Sequence, residues 1–158
     1  MQSGMIVKNL PFKVGQTMTV VGIPELDCKK NWKSVLAAGF NLARDITPAI
    51  CFRFQINIGT DEFTIALYIN PRFDYGEDHN TVVCNSFQDL TWGEEVRGRS
   101  FPFRQGQEFK VIIDFTPTEF VITLSDGSTI NFPNRFGAKE YSVMNLGGKV
   151  RFTSLQIK

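Results

Sequence analysis

Short runs of alternating apolar and polar residues, separated by turn residues, make up most of this chain. Nine runs read as strands: Met5–Leu10, Thr17–Gly22, Phe52–Gly59, Phe63–Asn70, Thr81–Phe87, Glu108–Phe115, Glu119–Ser125, Ser128–Phe132 and Lys149–Ile157. Gly59-Thr-Asp61, Asp74-Tyr-Gly76, Gln105-Gly106, Ser125-Asp-Gly127 and Gly147-Gly148 supply the turns between them. Many short strands at this spacing predict an all-β domain, either a sandwich or a barrel.

Alternation also predicts direction. In Phe63–Asn70 it places Phe63, Ile65, Leu67 and Ile69 on one face, with Thr64, Ala66, Tyr68 and Asn70 on the other. If pairing continues past Pro71, Arg72 joins Tyr68 and Asn70, while Val83 and Asn85 share a face of the next strand. One apolar face and one wet face is the ordinary state of an antiparallel sheet. One segment departs from period two. From Asn31 to Asp45 the apolar residues fall three and four apart, which predicts an amphipathic helix capped by Asn31 and stopped near Thr47-Pro48. Gly39 weakens that helix by about 1 kcal/mol.

Composition narrows the field. A chain of 158 residues with a net charge of +1 is most simply one domain, and no basic run marks a nucleic-acid surface. The 15 Phe favour strands and a bulky core. No apolar stretch reaches membrane-spanning length, and the N-terminus does not read as a signal peptide. Cys28, Cys51 and Cys84 lack metal-ligand spacing and fit a reduced, cytoplasmic chain. A single His, His79, in what reads as a polar loop offers no metal cluster and no evident triad. Glu94 and Glu95 are adjacent and point to opposite faces of an extended chain, which argues against paired-carboxylate glycosidase chemistry. The chain does not read as an enzyme, and no cofactor is implied.

The candidate chemistry is a polar set: Tyr68, Asn70, Arg72, Asn85, Trp92, Glu95 and Arg97. Arg presents a planar fork of donors, and Asn donates and accepts together. Glu accepts from a hydroxyl while orienting an Arg, and Trp gives a rigid plate for the C–H face of a sugar ring. In extended chain Glu95 and Arg97 point the same way and can pair. Taken singly, these residues also fit a solvated sheet face.

The stretches Ile6–Gly15, Asn70-Pro-Arg-Phe73, Asn80–Ser86, Trp92-Gly-Glu-Glu-Val-Arg97, Phe101-Pro-Phe103 and Phe132-Pro-Asn-Arg135 resemble the galectin family over most of the chain outside 29–52. The resemblance implies a jelly-roll sandwich of two antiparallel sheets, forming a single carbohydrate-recognition domain over 1–158. It implies non-enzymatic binding of β-galactosides, of the lactose and N-acetyllactosamine type, on a concave sheet face. It further implies frequent homodimers, no metal, no membrane insertion, and cytoplasmic synthesis with unconventional secretion to the extracellular space. Asn70 and Arg72 match positions that bond the axial O4, with Arg72 reaching toward the next sugar. Asn85 and Glu95 match those that hold O6, Trp92 the stacking plate, and Arg97 the residue that orients Glu95. Two departures stand out. Tyr68 stands where the family signature has His, which leaves family-like, altered or lost galactose binding open; the alternative is a galectin-like structural or interaction protein. An insertion at about 29–52, with the helix near 31–45, separates two strands that a short turn usually joins. Val7, Leu10, Leu155 and Ile157 on the terminal strands are the candidate dimer contacts.

Overall fold

The structure is a computed structural model that describes residues 4–26 and 53–158. The helix expected over 31–45, the insertion at 29–52 and two of the cysteines, Cys28 and Cys51, lie outside the described residues. Within them every regular element is a strand. In chain order these are β1 (Met5–Val7), β2 (Phe12–Lys13), β3 (Thr17–Pro24), β4 (Phe54–Gly59), β5 (Ile65–Tyr75), β6 (Asp78–Gln88) and β7 (Thr91–Trp92). They continue as β8 (Val96–Arg97), β9 (Phe109–Phe115), β10 (Glu119–Thr123), β11 (Thr129–Pro133), β12 (Glu140–Tyr141), β13 (Val143–Gly148) and β14 (Val150–Ile157).

The strands form two large antiparallel sheets, as in a jelly roll. One has seven strands in the order β1-β13-β4-β5-β6-β7, with β8 also on β6. The other has five, β11-β10-β9-β3-β14, and a small β12-β2 pair stands beside them. Ile56, Ile58, Leu67 and Ile69 of the first sheet meet Val20, Val111, Ile113 and Ile122 of the second in one buried core. The many Phe have a structural purpose here. Phe115 lies 4.7 Å from Phe120, 5.4 Å from Phe12 and 5.6 Å from Tyr141, ring centre to ring centre. A second group joins Phe54, Phe103 and Phe109 at 4.9 to 5.5 Å. Such rings bury large apolar area and hold preferred tilted or offset contacts.

Two expectations about β5 need correction. Phe63 lies outside the strand and is exposed, not on the core face. Between Ile65 and Tyr68 the pairing with β6 slips by one residue: Ile65 faces Phe87, whereas Tyr68 faces Asn85. This bulge puts Ile65 on the side of Tyr68 and turns both Ala66 and Leu67 into the core. Beyond it the alternation holds. His79 is also corrected. It sits in β6, not in a loop, and its Nδ1 lies 2.9 Å from Asp74 Oδ1 on an exposed hairpin. Cys84 is fully buried, and burial pushes its thiol up to about 12, so it is an inert core side chain.

β5 runs on to Tyr75, past a proline that a central strand should not tolerate. The pairs Ile56 with Ile69 and Arg53 with Arg72 place Phe54 opposite Pro71, which has no N–H to give. Asn70 fills the gap: its Nδ2 donates to the Phe54 carbonyl at 2.7 Å. A side chain of the candidate site thereby repairs the ladder, and the strand can carry Arg72 onto the polar face.

Candidate carbohydrate site

The polar face of the seven-stranded sheet holds an open cleft of about 300 Å³. Arg53, Tyr68, Arg72, Tyr75, Val83, Asn85, Trp92, Gly93 and Glu95 line it. Five of the seven residues expected from sequence therefore reach one cavity. The other two, Asn70 and Arg97, do not line it. Asn70 is fully buried beneath Arg72, and Arg97 stands behind Glu95.

A chain of hydrogen bonds ties these groups together. Arg72 Nε donates to Asn70 Oδ1 at 2.8 Å, and Arg72 Nη1 donates to Asp78 Oδ2 at 2.5 Å. Arg97 Nη1 donates to Asp78 Oδ1 at 2.5 Å, and Arg97 Nη2 to Glu95 Oε2 at 2.8 Å. Register explains the proximity: Arg72 faces Thr81 across the β5–β6 hairpin, and Val83 faces both Asn70 and Arg97. Two cations and two carboxylates alternate, so each side chain is held by a neighbour of opposite sign before any ligand arrives. The Asp78 carboxyl is held below its usual value, chiefly by the hydrogen bond from Arg97 and further by Arg72, against an opposing effect of partial burial. A lowered value means that its stabilising contribution is complete above the unfolded Asp value of about 3.9 and is lost only as pH falls through the lower folded one. In a carboxyl NMR titration Asp78 is expected to remain ionised where a free Asp is half protonated. Arg97→Ala should return its midpoint toward the free value.

On the other side, the ring of Trp92 lies 4.9 Å from those of Tyr68 and Phe87. It is 49% exposed, a plate with one side free. The turn before it is strained. Asp89 and Leu90 have φ of 52° and 61°, the left-handed region, and Leu90 is exposed. Two-residue hairpin turns of this kind favour Asn-Gly or Asp-Gly. Leu90→Gly is expected to raise stability by roughly 0.5–1 kcal/mol, because the relief of left-handed strain exceeds the added chain entropy. Urea denaturation measures it.

Asn85 is fixed from three sides. Its Nδ2 donates to the Gly93 carbonyl at 2.9 Å, and its Oδ1 accepts from the Ser86 N–H at 2.8 Å and from Arg135 Nη1 at 3.3 Å. Arg135 also donates to Ser86 Oγ at 2.9 Å and to the Glu94 carbonyl at 2.7 Å. A Cβ at residue 93 would collide with that guanidinium, which would have to shift to admit it. Tyr68 is 8% exposed. Burial raises the pKa of its phenol, and Arg53 and Arg72 partly oppose the rise.

Sequence reasoning missed Arg53, Tyr75, Asp78 and Arg135. Alternation in the run Phe52–Gly59 carried a signal for Arg53, since Phe54, Ile56 and Ile58 take the opposite face. Extending the Thr81 strand back to the turn would have recovered Asp78. Arg135 enters from beyond β11; the stretch Phe132-Pro-Asn-Arg135 marked it as part of the resemblance but gave it no role at the site.

The family model for galactoside-binding lectins matches residues 4–157. The chain belongs to that family, the galectins. This galectin is 38% identical to a β-galactoside-binding lectin of Electrophorus electricus over 99% of its own length and 98% of that protein's. The solved structure of congerin II with lactose and MES is 32% identical, with a TM-score of 0.80, over 99% of this galectin and all of that chain. CG-16, described as a homodimeric agglutinin from chicken liver, is 31% identical with a TM-score of 0.78, over 99% and 100% of the two chains. The family is one of carbohydrate-binding lectins, not of enzymes. No helix among the described residues is long and apolar enough to cross a membrane.

Proposed function

We propose that this galectin binds β-galactosides of the lactose and N-acetyllactosamine type, non-covalently, in the cleft of the seven-stranded sheet. The observation that carries the reading is the unbroken network Asn70–Arg72–Asp78–Arg97–Glu95 facing the half-exposed Trp92. Arg72, its fork set by Asn70 beneath it, takes the axial O4 and reaches toward the next sugar. Asn85 and Glu95 take O6. Asn85 has both lone pairs of Oδ1 engaged and one N–H left, so it acts there as a donor. Trp92 stacks under the C–H face. Only a galacto-configured sugar offers its O4 to the fork while lying flat on the Trp. Congerin II, whose structure holds lactose, supports the choice of sugar.

Tyr68 forms part of the cleft wall and leaves the cleft open, which supports binding despite the exchange for His. The test is calorimetric titration with lactose on the native protein and on Tyr68→His. Binding by both supports the reading; binding by the variant alone means that Tyr68 disables the site. Absence of binding in both overturns the proposal.

The same reading takes 1–158 as one recognition domain with its insertion at about 29–52. It places synthesis in the cytoplasm and action outside the cell after unconventional secretion. It pairs two copies through the terminal strands, since among the described residues β1 and β14 each have one open edge. CG-16 is a homodimer, which supports this. Val7, Leu155 and Ile157 pack partly on their own core, so Met5 and Ile6, each nearly half exposed, are better placed to add apolar contact. Sedimentation at micromolar concentration decides between one copy and two.

A further inference from the structure

Arg135 reaches the back of the cleft from the other sheet. It follows β11, an edge strand of the five-stranded sheet, and its guanidinium ends against β6 of the seven-stranded one. Its base is fixed from the core. The hydroxyl of the buried Tyr141 donates to Asn134 Oδ1 at 2.5 Å. Asn134 Nδ2 donates to the Ala138 carbonyl and the Asn134 N–H to the Thr118 carbonyl, both at 2.9 Å. Beyond this anchor the Arg135 guanidinium carbon lies 4.6 Å from the centre of the buried Phe132 ring. A ring beneath a guanidinium leaves its in-plane N–H donors free. Here they meet Asn85 Oδ1 and Ser86 Oγ in β6, and the Glu94 carbonyl between β7 and β8. The missing side chain of Gly93 leaves room for Nη1 to pass.

These contacts fall on the pair of groups given to O6. On Asn85 Oδ1 the Ser86 N–H takes one lone pair and Arg135 the other, so this amide meets a ligand only as a donor. A donor on Oδ1 also polarises the amide and strengthens its remaining N–H. On the other side, the bond to the Glu94 carbonyl fixes the peptide that leads into Glu95, whose carboxylate Arg97 holds. Trp92 rests instead on Tyr68 and Phe87, a support independent of Arg135. We propose that Arg135 is a positioning residue for the O6 pocket. It keeps Asn85 a donor and Glu95 an acceptor, so that the cleft selects a free hydroxyl at galactose C6, one that accepts from the first and donates to the second. The inference rests on the galactoside reading and adds to it the group that sets selectivity at one carbon.

Calorimetry with lactose and with lactose lacking the galactose O6 hydroxyl tests this, on the native protein, Arg135→Met and Arg135→Lys. Methionine keeps a long apolar side chain over Phe132 and removes every N–H donor. The native protein is expected to prefer lactose over the deoxy sugar by about ten-fold. Arg135→Met is expected to lose about ten-fold in lactose affinity and less than about two-fold for the deoxy sugar, so that the ratio of the two falls near one. Arg135→Lys should lie between, because one ammonium cannot serve Ser86 and the Glu94 carbonyl together. A merely structural role would lower stability, or both affinities alike, and leave the ratio unchanged. A ratio that survives Arg135→Met overturns the inference, as does a native ratio near one, while lactose binding stands in either case. Should circular dichroism show Arg135→Met unfolded, Arg135→Lys decides: a reduced ratio supports the inference and a native one overturns it. Absence of lactose binding by the native protein overturns the galactoside reading with it.

Discussion

Arg72→Ala is expected to abolish measurable lactose binding, at least a hundred-fold loss. Arg72 is both the proposed O4 donor and the hinge of the site's charge network. Removing it deletes two charge-assisted bonds, to Asn70 at 2.8 Å and to Asp78 at 2.5 Å. Each bond of this kind contributes about 1.5–3 kcal/mol when its partner stays desolvated. Asn70 is fully buried, so its Oδ1 would be left without a donor in a place that water reaches poorly. Asp78 would hold Arg97 alone, and the fork facing the sugar would be gone. A loss of roughly 3 kcal/mol in binding corresponds to a hundred-fold or more in Kd. Arg72→Lys should fail almost as completely, because one ammonium cannot span Asn70, Asp78 and a hydroxyl at once. Calorimetry with lactose measures the loss, and circular dichroism of the same sample shows that the sheets remain. A lactose Kd within three-fold of the native value would falsify the assigned role.

Phe115→Ala is expected to cost about 3–5 kcal/mol of folding stability. Phe115 is 2% exposed and belongs to β9, in the middle of the five-stranded sheet. Its ring stacks on Phe120 and touches Phe12 and Tyr141, so it joins that sheet to the small β2–β12 pair. The neighbouring rings are large and fixed in mutual contact, and they collapse poorly into the space left. Domains of this size have about 5–15 kcal/mol in all, so the variant approaches the threshold of unfolding at 37 °C. Chemical denaturation gives the number. A loss below 1.5 kcal/mol would show that the aromatic cluster repacks. Phe115 belongs to the other sheet and does not line the cleft, and lactose affinity of the folded fraction should be unchanged.

Much of the fold was legible because strand direction is a local property. Nine expected strands correspond to observed ones, with ends that move by a few residues. The short strands β2, β7, β8 and β12, and β13, whose Gly-Gly end reads as a turn, escaped notice because their pairing depends on distant partners. The Ile65–Tyr68 bulge escaped for a related reason. A bulge is decided by the partner strand, and nothing in Phe63–Asn70 itself announces the extra residue. It matters for the site, since it resets the alternation from which Tyr68, Asn70 and Arg72 take their common direction.

The sequence by itself determined the all-β class, the polar face and the seven candidate residues, because period-two alternation and the spacing of Arg, Asn, Glu and Trp are written along single strands. Only the tertiary structure decided which of them line the cleft. It put Asn70 and Arg97 behind the cleft as supports, brought Asp78 between two arginines, and delivered Arg53 from just before β4 and Arg135 from beyond β11. Those placements come from register across neighbouring strands and from the packing of one sheet on the other, relations between segments remote in the chain that no local pattern encodes.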